Sequence, residues 1–242
     1  CRSRNRSPAD VRGEMALSDL FGRLRKDEDD ADAGADSPAQ PTKALARFLA
    51  GLSTRQQPVL LDLGPVVGSN VTFFGEEVGC KILVEDLSKD IDRHVNQTKV
   101  EELPAFFDKR FPQESETIDG ILCWDIFDYL ERAAAERLAR QLTRMLRPDG
   151  VLLAFFGTAD PRSAIRPTYT RHVVIDRAHL QYRPYKASRA KQRPLLNRDI
   201  QRLLEPLRIA ESFLLKTNLR EVLFRKPAAA SVAPSAAPPA EG

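Results

Sequence analysis

Short continuous apolar runs alternate with amphipathic stretches along most of this chain. Runs of strand length occur at residues 59–63, 81–88, 118–125 and 151–156, and they predict strands that are buried on both faces. Helical periodicity occurs at residues 45–52, 71–78, 131–147 and 197–207. Two further apolar segments, 209–215 and 219–224, are close enough to pair as an antiparallel hairpin. This order predicts an α/β fold with a mostly parallel sheet.

The two ends of the chain have a different composition. Residues 1–40 are polar, and we expect them to be disordered except for a short amphipathic helix near 17–26. That helix could dock on the domain or make a peripheral contact with a partner or a membrane surface. Met15 is the first methionine and is an alternative first residue of the protein. We expect the folded domain at 41–226 and a disordered Ala/Pro tail at 227–242.

Composition narrows the class of protein. No apolar run approaches the roughly 18 residues that a membrane-spanning helix needs, so we expect no transmembrane segment. The three cysteines form no ligand-spaced cluster, which predicts neither a metal site nor a disulfide framework and favours a cytoplasmic location. Cys80 and Cys123 lie in apolar segments and are expected to be buried. The net charge of +3 does not by itself indicate nucleic-acid binding.

The stretch 59–70 organises the rest of the chain. A buried strand ends at Asp62, a turn with Gly64 and Gly68 follows, and Ser69 and Asn70 open the next segment. Such a turn can present backbone N–H groups to a nucleotide-type ligand, although it also occurs as a purely structural connection.

Polar residues also end the next two predicted strands. Glu85 and Asp86 end the second, and Trp124 and Asp125 end the third. In open α/β sheets, ligands bind outside the carboxyl ends of strands, where a carboxylate can accept hydrogen bonds from ribose hydroxyls. The alternative is that the acidic pair is an exposed strand end or a helix cap.

Four segments in this order resemble motifs of the class I S-adenosylmethionine-dependent methyltransferases. Residues 62–68 are similar to the family's D-x-G-x-G-x-G loop, and 84–88 to its acidic second-strand motif. Residues 118–125 resemble its fourth-strand motif, and 144–153 its R-x-L-K-P-G-G turn with the following strand. The resemblance covers roughly residues 41–226.

The resemblance implies a fold, a cofactor and a set of contacts. The fold would be a three-layer Rossmann-like sandwich with a mostly parallel seven-stranded sheet and a C-terminal antiparallel hairpin. The cofactor would be S-adenosyl-L-methionine, with Asp86 as the ribose ligand. The residues implied as cofactor-binding are Asp62, Gly64, Gly68, Asp86, Asp108 and Trp124. Val66 departs from the motif, because a β-branched residue replaces its middle glycine and resists positive φ.

Candidate residues for the substrate side follow the third strand and the fourth. Asp125, His172 and His179 are the catalytic candidates, and Asp128 and Tyr129 could also face the substrate. Residues 158–193 lack strong periodicity and are expected at the surface. Within 162–193 there are nine Lys and Arg residues and one acidic residue, Asp176. This basic segment favours a small or anionic acceptor, but it could also be a solvated loop or contact nucleic acid.

The sequence therefore predicts methyl transfer from S-adenosylmethionine to an unidentified, small or anionic acceptor. Two alternatives stay open. The chain could be a non-catalytic binding or scaffold protein that kept the fold and lost the cofactor, as Val66 would favour. It could also be a methyltransferase that modifies nucleic acid through its basic segment.

Overall fold

The computed structural model describes residues 37–158, 167–192 and 194–228. The predicted helix near 17–26 and the Ala/Pro tail from 229 onward lie outside the described residues. The helices are α1 (Ala44–Leu52), α2 (Gly68–Thr72), α3 (Leu87–Asn96), α4 (Leu103–Arg110), α5 (Arg132–Met145) and α6 (Asn197–Leu203). A π-helical turn, Phe73–Glu77, continues α2, and 3-10 turns occupy Val100–Glu102 and Ile126–Tyr129.

The strands form two sheets. They are β1 (Gln40–Pro41), β2 (Val59–Asp62), β3 (Lys81–Val84), β4 (Ile118–Trp124), β5 (Leu146–Gly157), β6 (Thr168–Asp176), β7 (His179–Lys186), β8 (Arg208–Leu214) and β9 (Leu219–Arg225). The main sheet has the order β3-β2-β4-β5-β9-β8. Its first four strands are parallel, whereas β9 runs antiparallel to β5 and β8 antiparallel to β9.

The predicted α/β architecture with its C-terminal hairpin is confirmed, but the strand count differs. The main sheet has six strands in the described part of the chain, rather than the seven that the resemblance implies. The connection between β3 and β4 folds as α3, a 3-10 turn and α4, so it adds no strand. Within the described ranges, no helix is both long and apolar enough to cross a membrane.

Helices cover both faces of the main sheet, because its central strands are apolar on both sides. Every residue of β4 is buried. On one face, α3, α4, α5 and α6 bury a core that includes Phe107, Leu138 and Ile200. On the other face, α1 packs its buried side chains against residues of β5, among them Val151 and Leu153. Cys80 and Cys123 are buried free thiols, as expected.

The glycine loop adopts regular, unstrained backbone despite its unusual sequence. Gly79 is the glycine with positive φ among the described residues, so neither Gly64 nor Gly68 uses left-handed backbone. Val66 does not have positive φ either. Val67 is extended, with φ −125° and ψ 116°, and leads directly into α2. The valine in place of the motif's middle glycine therefore causes no backbone strain here.

The region between β5 and α6 contains a β-hairpin that the sequence analysis did not predict. β6 and β7 pair antiparallel over residues 168–186, and β1 adds a short third strand beside β7. We call residues 168–186 the arm. The expectation of a surface segment is wrong for part of the arm, because Tyr169, His172, Val174 and Leu180 are buried.

Candidate functional site

The carboxyl ends of β2 and β4 form a crevice at the point where the strand order reverses. β2 pairs with β3 on one side and with β4 on the other, and all three run parallel. Asp62 is the last residue of β2, and Trp124 is the last of β4. Such a switch point is the usual ligand position in an open α/β sheet.

Asp62 is a buried carboxylate with two donors. Its Oδ1 accepts a hydrogen bond from the backbone N–H of Gly64 at 2.9 Å and from the indole Nε1–H of Trp124 at 2.6 Å. Burial raises the pKa of Asp62 to about 6, and these two hydrogen bonds partly offset that effect. Asp62 is therefore mostly ionised at neutral pH.

The indole of Trp124 covers Gly64. A Cβ atom added to Gly64 would lie only 2.7 Å from Cδ1 of Trp124, so only glycine fits beneath this ring. Trp124 is 4% exposed and has φ +48°, a left-handed conformation that costs a bulky L-residue about 1–2 kcal/mol. Packing around the ring must compensate for that cost.

His172 of the arm stacks on this indole. The two ring centroids are 4.9 Å apart and the ring planes differ by 5°. Burial lowers the pKa of His172 to about 4, so its imidazole is neutral at physiological pH. Its Nδ1 is buried without a hydrogen-bond partner. The arm thus completes an aromatic stack that holds Trp124 over the glycine loop.

Asp86 caps α3 and faces the arm through a short chain of hydroxyl groups. Its Oδ1 accepts hydrogen bonds from Ser88 Oγ at 2.5 Å and from the backbone N–H of Lys89 at 3.4 Å. Ser88 Oγ in turn accepts a hydrogen bond from Tyr185 Oη at 2.8 Å. Asp86 Oδ2 is buried, accepts no hydrogen bond and lies 3.4 Å from Nζ of Lys89.

Other side chains fasten the arm across the top of the main sheet. The amide of Asn70 in α2 donates to the carbonyl of His172 and accepts from the N–H of Val174, each at 2.8 Å. Tyr169 Oη donates to Asp92 of α3 at 2.8 Å. These contacts attach the arm to both helices that flank β3.

A buried ion cluster lies where the chain leaves the arm. Nζ of Lys191 is 2.8 Å from Oδ2 of Asp125 and 3.0 Å from Oδ2 of Asp128. Burial acts to raise the pKa of Asp125, but the attractive interactions of its carboxylate, above all those with the ammonium of Lys191, together outweigh burial, so the pKa is below the usual value. Burial dominates at Asp128, whose pKa is raised. One lysine thus compensates two carboxylates, and Asp125 is the more firmly ionised.

These contacts leave little space in the crevice. The remaining cavity has a volume of about 20 Å³, enough for about one water molecule. Pockets for small ligands typically have volumes of about 300 Å³ or more. The cavity walls include Gly64, Ser88, Trp124 and the arm residues Tyr169 and Tyr185.

Not all the residues predicted for the site meet in this crevice. Asp62, Gly64, Asp86, Trp124, Asp125 and His172 gather around it or the adjoining ion cluster. Asp108 lies on α4 and is 3.5 Å from Arg137 of α5. His179 is half-exposed at the turn of the arm and pairs with Asp176 at 3.0 Å. Gly68 is the first residue of α2.

Sequence reasoning gave no role in the site to Ser88, Tyr169 and Tyr185, which line the crevice. It also missed Asn70, which binds the arm, and Lys191, which pairs with the adjoining carboxylates. A signal for the arm was present, since the β-branched and aromatic run 168–175 precedes the polar turn 176–179 and the alternating run 180–185. No comparable signal identifies Lys191 as the counter-ion of Asp125, because that pairing depends on tertiary structure.

Several cations of the basic segment are engaged with groups of the protein itself. Lys191 pairs with the two carboxylates described above, and Arg189 lies 2.8 Å from Glu131. The guanidinium of Arg171 is 4.6 Å from the centroid of the Tyr185 ring. The positive charge of this segment is thus partly compensated within the fold.

A larger groove lies apart from the crevice acids, between α5 and α6. Its volume is about 990 Å³. Its charged lining is balanced, with four arginines and four carboxylates: Arg132, Arg140, Arg198, Arg202, Glu131, Glu136, Asp199 and Glu205. This balance gives no preference for an anionic ligand.

Comparison with known proteins places the chain in a family. Residues 36–205 match the model of a family described as a methyltransferase domain. Sarcosine/dimethylglycine N-methyltransferase from Halorhodospira halochloris is 26% identical over 152 residues, which are 59% of this chain and 53% of that protein. The chain thus spans about half the length of this curated relative.

Solved structures with a similar fold include two bacterial methyltransferases. One is 1,6-didemethyltoxoflavin-N1-methyltransferase from Burkholderia thailandensis, with 17% identity, a TM-score of 0.48 and coverage of 90% of this chain and 93% of that chain. The other is an S-adenosylmethionine-dependent methyltransferase from Clostridium acetobutylicum, with 12% identity, a TM-score of 0.48 and coverage of 88% and 100%. The family match extends over more than half of the sequence, and the chain belongs to the methyltransferase domain family.

Proposed function

We propose that this protein transfers a methyl group from S-adenosylmethionine to a small-molecule acceptor. The observation that carries the proposal is the position of Asp62 and Asp86 beside the crevice at the switch point of a sheet belonging to the methyltransferase family. Asp62 accepts a hydrogen bond from Gly64, and Asp86 accepts one from Ser88; both Gly64 and Ser88 line the crevice. The bound cofactor would supply an activated methyl group and a neutral thioether leaving group. The protein's part is to bind, orient and exclude water.

The polar groups of the crevice suit the cofactor. Asp86 Oδ2 is buried and accepts no hydrogen bond, although the ammonium of Lys89 lies 3.4 Å away, and a ribose hydroxyl would supply a donor. Asp62 is buried beside the glycine turn and ionised at neutral pH, so it would favour a cationic amino group nearby. The packing, in contrast, leaves no room for such a ligand until Trp124 or the arm moves.

The candidate bases point to catalysis by positioning. Asp125 has a lowered pKa because of Lys191, and His172 is buried with a pKa of about 4, so both are weak bases at neutral pH. A methyl acceptor that carries a free lone pair needs no strong base. We infer that the acceptor reaches the site with its nucleophilic atom already deprotonated and that the ionised Asp125 orients it.

A small-molecule acceptor is favoured over a nucleic acid. The curated relative is named for two small amino acids, sarcosine and dimethylglycine. Cations that could contact phosphates are partly engaged within the fold, as at Arg189 and Lys191. We extend the proposal to small acceptors in general and assign no acceptor atom.

Calorimetric titration with S-adenosylhomocysteine, the demethylated product, tests the proposal. We expect saturable binding to the wild-type protein and at least a tenfold weaker affinity for Asp86→Ala, since one lost charge-assisted hydrogen bond is worth about 1.5–3 kcal/mol. Asp108→Ala is the matched control, because Asp108 pairs with Arg137 away from the crevice. An equal loss in both variants would contradict the assignment of Asp86.

The filled crevice favours one alternative, a binding or scaffold protein that kept the fold without the cofactor. A cavity of about 20 Å³ is what such a protein would have at this position. The same titration separates the two functions. Absence of heat with folded protein at millimolar S-adenosylhomocysteine, for the wild type and for variants that open the crevice, would establish the scaffold.

A further inference from the structure

The position of Trp124 carries a further consequence. Its indole covers the turn at Gly64 and hydrogen-bonds the one carboxylate oxygen of Asp62 that also binds the turn. Ligands of open α/β sheets approach their glycine turn at this place. The ring therefore occupies volume that a ligand on this turn would need.

The arm holds the ring there against a backbone cost. Trp124 has φ +48°, and this strained conformation is stabilised by stacking on His172 and by an edge contact with Phe155, whose centroid is 5.7 Å away. The Asn70 amide fixes the backbone on both sides of His172's neighbour, Val173. If the arm shifts, the stack is lost and the strain favours release of the ring.

We propose that Trp124 is a gate residue, which competes with S-adenosylmethionine for the place above Gly64 and leaves it when the cofactor binds. This inference rests on the function proposed above. It explains why the crevice, although polar groups suited to the cofactor surround it, retains a cavity of only about 20 Å³. In this role Trp124 opposes cofactor binding, whereas the resemblance to the family implied that it contacts the cofactor.

The gate has a measurable effect on affinity. When only a fraction of the protein is open, the apparent dissociation constant rises by the inverse of that fraction. A gate that is closed about 90–99% of the time would weaken binding about 10- to 100-fold. Trp124→Ala removes the ring and should tighten binding of S-adenosylhomocysteine by about that factor.

The chain offers a direct optical reporter, because Trp124 is its single tryptophan. Fluorescence emission and calorimetric heat are measured in parallel titrations of the wild-type protein with S-adenosylhomocysteine. We expect the emission of the buried indole to shift with the same dissociation constant that calorimetry gives. Heat without any change in emission would overturn the gate and leave the proposed function intact.

Variants complete the test. Tighter binding by Trp124→Ala supports the gate, including the case in which only the variant binds, whereas weaker binding overturns it in favour of a cofactor contact.

Leu138→Ala, which truncates a buried side chain of α5, is the control for loss of core packing and should leave affinity unchanged. Trp124→Phe, with a smaller ring and no indole N–H, replaces the alanine variant if that variant does not fold. Absence of binding in all these proteins overturns both the gate and the proposed function.

Discussion

The side chain of Asn70 pairs with the backbone around His172 as if it were a neighbouring strand. It donates to the carbonyl of His172 and accepts from the N–H two residues further along β6. Because Asn70 lies in α2, immediately after the glycine loop, this pairing ties the arm to the loop that it covers. The closed state of the crevice therefore depends on the position of the arm.

Asn70→Ala should loosen the arm. The substitution leaves a buried carbonyl and a buried N–H without partners, which should destabilise the protein by about 2–4 kcal/mol if each group costs about 1–2 kcal/mol. Hydrogen exchange followed by mass spectrometry should show faster exchange in residues 168–186. The exposed neighbour Ser69 provides the control, and Ser69→Ala should exchange like the wild type. Unchanged protection in Asn70→Ala would refute the anchoring role.

Lys191→Met should destabilise the protein by about 3 kcal/mol or more, because it leaves Asp125 and Asp128 buried without their cation. Urea denaturation measures this loss. Adding Asp128→Asn removes one of the two uncompensated charges, so the double variant should regain part of the stability. A double variant that is less stable than Lys191→Met would argue against charge as the cause.

Asp62 and His172 should have opposite effects on stability in mild acid. The pKa of His172 is lowered to about 4, so its contribution is present above pH 6.5 and is lost as the pH falls towards 4. The pKa of Asp62 is raised to about 6, so its contribution is greatest below its unfolded value of 3.8 and is lost as the pH rises through 6. The two effects largely cancel in the wild type between pH 4 and 6.

A variant that lacks either Asp62 or His172 should show the effect of the remaining residue on the pH dependence of stability. Asp62→Asn should lose stability more steeply than the wild type between pH 6.5 and 4.5. In this variant the lowered pKa of His172 is no longer opposed by the raised pKa of Asp62. His172→Gln should gain stability relative to the wild type as the pH falls over the same range, because the raised pKa of Asp62 then acts unopposed. Denaturation midpoints measured at several pH values test both slopes, and parallel curves for all three proteins would contradict the assignment.

Gly64→Ala should be destabilising because of Trp124. The added Cβ would lie 2.7 Å from the indole Cδ1, and such overpacking typically costs about 1–3 kcal/mol. In a Trp124→Ala background the same substitution should cost about 0.5 kcal/mol or less, since the ring is gone. A double-mutant cycle of unfolding free energies measures the coupling. An equal cost in both backgrounds would show that the ring does not limit the space at Gly64.

Much of the scaffold could be predicted because its strands are continuous apolar runs with helices between them. The helix expected at 131–147 is α5, Arg132–Met145, and the expected terminal hairpin is β8 and β9. The acids at the ends of β2 and β3 followed from the same pattern. The number of strands could not be predicted in this way, because the value of seven came from the resemblance to the family. In this chain the connection between β3 and β4 contains α3, a 3-10 turn and α4, and it contains no strand.

The closure of the crevice could not be predicted, for physical reasons. The arm alternates arginines with aromatic and β-branched residues, so composition suggested a solvated loop. The position of Trp124 depends on a left-handed backbone and on stacking with His172, which is distant in sequence. Val66, the departure from the motif, neither strains the loop nor lines the remaining cavity.

A crystal structure of the protein with S-adenosylhomocysteine tests the central claim most directly. We predict the ribose hydroxyls on Asp86, the amino-acid half beside Gly64, and the indole of Trp124 displaced from the turn. Crystals grown at a saturating concentration that contain no ligand in the crevice, with Trp124 still bonded to Asp62, would contradict the account.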